Sequence, residues 1–152
     1  MLNYVELLLT TYSDQRVSLV GEGKNFVFTI HNPEWEGGDI VVTCEEGNLC
    51  LDFVSMSLDF EDQFGELVDQ IDQLIQDECM IFELYSHGEC VLGGCRGTDE
   101  IDIDHSLPAF VRSLRDGSTE LYADMKEIVQ RGQCFCRLRG WCKERNRSLI
   151  LS

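Results

Sequence analysis

The chain has 152 residues, is 43% hydrophobic and holds only two prolines, which suits one domain built around a single core and excludes wholesale disorder. A formal net charge of −16 sets up a field that repels nucleic acid and anionic membranes and speeds encounter with basic partners. No stretch approaches the roughly 18 apolar residues of a membrane span, and Glu6 interrupts the apolar opening with no basic residue before it. The expectation is a soluble, cytoplasmic protein without a signal peptide.

Charge is uneven along the chain. Residues 1 to 130 hold 27 Asp and Glu against 6 Lys and Arg, whereas residues 131 to 152 hold 6 basic residues against Glu144 alone. Eight cysteines in a chain lacking an export signal predict reduced thiols, most of them small buried hydrophobes.

MLNYVELLLTTY fits a short helix or a strand equally well. RVSLV (16–20) and NFVFTIH (25–31) flank the turn-forming GEGK and read as strands. DIVVTC and NLCLDFVSMSL flank EEG, a compact hairpin signal, so strand follows strand through residue 58.

The period then changes. Phe60, Phe64, Leu67, Val68, Ile71, Leu74 and Ile75 recur at steps of three and four, which predicts an amphipathic helix over about 60–76. Asp59, Glu61, Asp62, Glu66, Asp69 and Asp72 fall on its outer face with no Lys or Arg among them. Like-charge neighbours at such spacing repel by about 0.2–0.5 kcal/mol a pair, which a docking cation relieves.

A second hairpin, CMIFELY and ECVLGG, surrounds Ser86-His87-Gly88. Beyond it, helices are expected at about 107–115, with Ser106 as N-cap, and at about 119–131. CFCRLRGWC and SLIL return to strand alternation. Antiparallel hairpins with helices inserted between them define a single α+β domain spanning 1–152.

Catalytic motifs fail on spacing. GGCRG resembles the nucleophile segment of caspase-like proteases around Cys95, but Gly-Gly stands where that motif has Gln-Ala and no His lies about fifty residues upstream. In DEIDIDH the carboxylates Glu100, Asp102 and Asp104 begin like a calcium loop, yet Val111 occupies the position of its bidentate Glu. His31, His87 and His105 stand apart in sequence from obvious nucleophiles and read as turn or surface residues.

His87, Cys90, Cys95, Cys134, Cys136 and Cys142 are the candidate zinc ligands, and a thiol-based zinc or redox sensor is one alternative reading. Their spacings do not form the two C-x₂₋₄-C knuckles of structural zinc, and Cys134, Cys136 and Leu138 fall on one strand face, as a core would place them. No cofactor is expected.

Size, charge and missing catalytic motifs together resemble bacterial immunity proteins, small acidic cytosolic domains that block a cognate toxin, often a basic nuclease. That resemblance implies a binding protein rather than an enzyme, with a basic protein partner. Direct nucleic-acid binding is not expected, although a nucleic-acid mimic is a second alternative. The contact residues expected are Asp59, Glu61, Asp62, Glu66, Asp69 and Asp72, with Glu45, Glu46, Glu100, Asp102 and Asp104 beside them.

Overall fold

The computed structural model describes residues 3–97 and 133–150, and the chain divides into two compact units, Met1–Ile75 and Gln76–Ser152. The fold is α+β, with antiparallel sheets built from hairpins. The helices expected at about 107–115 and 119–131 lie outside the described residues. Among the described residues, no helix is long and apolar enough to cross a membrane.

The first unit opens with helix α1, Tyr4–Thr11, whose N-cap Asn3 accepts the Glu6 N–H through its side chain at 3.3 Å. That cap satisfies one of the first-turn donors and resolves the ambiguity of the N-terminal segment. Five strands follow: β1 (Val17–Glu22), β2 (Asn25–Ile30), β3 (Ile40–Glu45), β4 (Asn48–Phe53) and β5 (Met56–Glu61). They pair in chain order, each antiparallel to the next.

Alternation assigns the two faces of this sheet. Phe26, Phe28, Ile30, Ile40, Val42, Cys44, Leu49, Leu51 and Phe53 are buried, while Val27, Thr43, Cys50 and Asp52 lie between them on the outward side. Helix α2, Phe64–Ile75, buries Leu67, Ile71 and Leu74. At about 25 cal/mol per Å² of apolar surface, each such Leu or Ile contributes roughly 1.5–3 kcal/mol.

Two boundaries differ from the sequence reading. The stretch expected to be one strand through residue 58 is a hairpin, turning at Val54 and Ser55 with Val54 at φ 56°. The helix expected from about residue 60 starts at Phe64, because strand alternation persists through Met56, Leu58 and Phe60. Asp59 Oδ1 then accepts the Glu61 N–H at 2.9 Å, and the Phe60 carbonyl accepts the Gln63 N–H at 2.9 Å, turning the chain into α2. Asp59 and Glu61 are therefore strand residues, and Asp62 is in the turn.

The second unit holds a four-stranded antiparallel sheet ordered β7-β6-β8-β9, made of β6 (Cys79–Ser86), β7 (Glu89–Gly97), β8 (Cys134–Arg139) and β9 (Arg147–Ile150). The β6–β7 turn places His87 at φ 52° and Gly88 at φ 82°, the pair of left-handed residues that a two-residue hairpin requires. Met80, Phe82, Leu84, Cys134, Cys136 and Leu138 are buried on one face of this sheet.

Candidate interaction surface

The first unit carries most of the charge. Its residues 1–75 hold 15 Asp and Glu against Arg16 and Lys24, a formal net of −13 out of −16.

One group of acids starts at the end of the five-stranded sheet where the β1–β2 and β3–β4 turns lie. The β1–β2 and β3–β4 turns are tied there by Glu46 N–H to Asn25 Oδ1 at 3.1 Å and Gly47 N–H to the Lys24 carbonyl at 3.2 Å. Beside them, Tyr4 stacks on Phe64 with ring centroids 5.2 Å apart, and its hydroxyl donates to the Asp62 carbonyl at 3.3 Å. Between these elements opens a cleft of about 830 Å³ bordered by Lys24, Glu46, Asn48, Glu61 and Asp62. A second depression of about 750 Å³ shares Glu46 and Asn48 and continues over the outward sheet face past Glu45, Asp52 and Asp59.

Six carboxylates thus border two adjoining depressions, and Lys24 is the cation among their lining residues. Asp52 and Asp59 lie on neighbouring strands as diagonal partners, since Asp52 faces Ser57 across the ladder. Asp52 went unnoticed in the sequence reading. Its signal is the alternation of Cys50 and Asp52 with buried Leu49, Leu51 and Phe53.

The predicted helix face divides. Glu66 and Asp69 are exposed on α2, but Asp72 is half-buried and accepts the Tyr12 hydroxyl at 3.1 Å. Of the like-charge pairs expected on one helix, only Glu66/Asp69 and Asp69/Asp72 are helical neighbours, and Asp72 is engaged in the packing. Glu100, Asp102 and Asp104 lie outside the described residues.

The second sheet separates the candidate metal ligands. Cys134 and Cys136 pair with Ser86 and Leu84 on one face, whereas Cys90 and Cys95 pair with Tyr85 and Ile81 on the other. Cys142 follows β8, where its N–H donates to Asp77 Oδ1 at 3.1 Å, and His87 Nδ1 lies 2.7 Å from Gln133 Oε1. Among the described residues, no three His, Cys, Asp or Glu side chains are grouped to hold a metal ion. Burial pushes the Cys136 thiol up to about 12, so it stays a neutral core group.

Two constellations were missed in sequence. On the second sheet, Glu83 is buried with Oε1 3.5 Å from Arg139 Nε, and Oε2 accepts the Tyr85 hydroxyl at 3.3 Å. Burial, and next the Glu83 charge, raises the Tyr85 hydroxyl above its usual range. Arg137 lies over the stacked rings of Tyr85 and Phe135, 5.1 and 5.6 Å from their centroids. On the first sheet, His31 is not isolated: its ring nitrogens meet Ser18 and Asp39. Strand register brings Ser18 within reach across 13 residues, a distance that sequence spacing cannot show.

The chain matches no family model, no curated protein and no solved structure.

Proposed function

We propose that the chain is a small acidic binding protein that docks a basic protein partner through its first unit. In class it acts as an immunity-type inhibitor that neutralises a bacterial toxin such as a basic nuclease. The observation that carries this reading is the grouping of Glu45, Glu46, Asp52, Asp59, Glu61 and Asp62 around two adjoining depressions.

Exposed like charges held on a strand scaffold repel one another before any partner arrives. A cationic surface that docks there relieves the repulsion and gains encounter rate from the field, which salt then screens over about 8 Å. Clefts, rather than a flat acidic face, suit Arg and Lys side chains entering between the turns.

Affinity capture on the full chain from its source cell, eluted with rising salt, tests this. The reading expects a protein with a strongly basic surface, released by salt and inhibited in its own activity by the chain. Elution of acidic or neutral proteins alone contradicts it. Competition between the chain and DNA for a single site on the captured protein would favour nucleic-acid mimicry instead.

A further inference from the structure

His31 Nε2 lies 2.5 Å from Ser18 Oγ, and Nδ1 lies 3.2 Å from Asp39 Oδ2. A carboxylate beside Nδ1 favours the tautomer protonated there, which leaves Nε2 as acceptor for the serine hydroxyl proton. This is the relation of nucleophile, base and orienting acid that activates serine hydroxyls, and such constellations are recognised by geometry rather than by sequence position. We propose that Ser18, His31 and Asp39 form a nucleophilic site that transfers the acyl group of small neutral carboxylic esters to water.

The base and the acid sit on an organised loop. Asp39 Oδ1 accepts the Asn32 N–H at 2.8 Å, while Asn32 Oδ1 accepts the N–H groups of Glu34 and Trp35 at 2.8 and 3.3 Å. Asn32 Nδ2 donates to the Gly38 carbonyl at 3.2 Å, closing the loop. Gly38 leaves room for the indole of Trp35, since a Cβ there would meet its Cε2 at 2.5 Å. The His31 N–H donates to the Arg16 carbonyl at 2.8 Å, which holds the loop against the start of β1.

A depression of about 390 Å³ adjoins the pair and is lined by Arg16, His31, Trp35 and Asp39, with Glu34 and Glu36 at its border. Trp35 offers a flat apolar wall, and the two glutamates disfavour anionic substrates. Ser18 is exposed, so water reaches it.

Among the described residues, β1 is the terminal strand of its sheet and pairs only with β2. Because His31 N–H bonds to the Arg16 carbonyl, the alternating antiparallel pattern turns the Leu19 N–H away from β2, toward the sheet edge. That N–H, one residue after the nucleophile, is a donor for the developing oxyanion.

In the reaction, Ser18 Oγ bonds to the ester carbonyl carbon as its proton passes to His31 Nε2. The carbon–alkoxide bond breaks, and the leaving alcohol takes that proton. Water then attacks the acyl-serine, gives a proton to Nε2, and Ser18 recovers it as the carboxylic acid departs. Ester and water become acid and alcohol, with no other reactant.

The same contacts, if they only fasten β1 to the β2–β3 loop, confer no reactivity, and labelling separates the two. The full chain is treated with a fluorophosphonate, which phosphonylates activated serines with loss of fluoride, and modified peptides are identified by mass. The expected result is an adduct on the peptide carrying Ser18, absent in Ser18→Ala. His31→Gln and Asp39→Asn should label about 10²-fold more slowly or worse, the usual scale of general-base assistance, with unchanged circular dichroism. Ser18 labelling no faster than the other serines overturns the proposal, as does labelling of His31→Gln or Asp39→Asn at the wild-type rate.

Discussion

The Tyr12 hydroxyl donates to Asp72 Oδ1 across 3.1 Å, joining the end of α1 to α2 with Tyr12 only 3% exposed. Hydrogen bonds to charged groups contribute about 1.5–3 kcal/mol, less where one partner still reaches water. Tyr12→Phe should therefore cost about 1–2 kcal/mol in urea unfolding near neutral pH.

Burial, reinforced by Asp72, raises the Tyr12 hydroxyl far above its ordinary value of about 10. A group raised on folding contributes stability that is complete below its unfolded value and is lost as pH climbs above it. The stability difference between wild type and Tyr12→Phe should be constant up to about pH 10 and shrink beyond it. A difference that stays level into more alkaline solution contradicts this role.

Glu83 is 4% exposed with its Oε1 3.5 Å from Arg139 Nε, so Glu83→Leu removes the buried negative charge that this guanidinium faces. Breaking a buried pair costs about 3–5 kcal/mol, and the partial exposure of Arg139 places Glu83→Leu nearer about 2–4 kcal/mol. The double variant Glu83→Leu, Arg139→Met should recover most of that loss in the same unfolding assay.

Gly21 stands at φ 91°, and a Cβ there would lie 2.3 Å from the Asn25 carbonyl oxygen, a backbone atom that cannot swing aside. Gly21→Ala should destabilise the first unit by about 1–3 kcal/mol, the usual scale of local backbone strain. Thermal unfolding followed by Trp35 fluorescence in a Trp141→Phe background reads this directly.

Alternation and period were legible where one face is buried and the other wet. Phe26, Phe28 and Ile30 announce β2, and Leu67, Ile71 and Leu74 announce α2. The start of α2 was not legible, because Phe60 satisfies a helical and a strand period at once, and only the pairing of β5 with β4 decides between them. The site acids were half legible: local composition showed the charge, but cross-strand register decides that Asp52 joins Asp59, and the contact between the end of α1 and α2 turns Asp72 to Tyr12. Ser18 and His31 meet through register alone, as do Glu83 and Arg139 on neighbouring strands.

The Cys136 thiol is fully buried, and that burial pushes it up to about 12. Reaction with alkylating reagents requires the thiolate and access to it. Native chain treated with iodoacetamide at pH 8 should leave Cys136 unmodified by peptide mass, and urea should make it reactive. Rapid native alkylation of Cys136 contradicts its place in the core.

Docking of a basic partner by the acids of the first unit is tested most directly by the salt dependence of that complex. Affinity for the captured partner is compared for wild type and the triple variant Glu45→Lys, Asp52→Lys, Asp59→Lys, at low and high ionic strength. The reversal should weaken binding by about two orders of magnitude at low salt, mostly through slower association, and flatten the salt dependence. Equal affinity and equal salt dependence in the two proteins would contradict it.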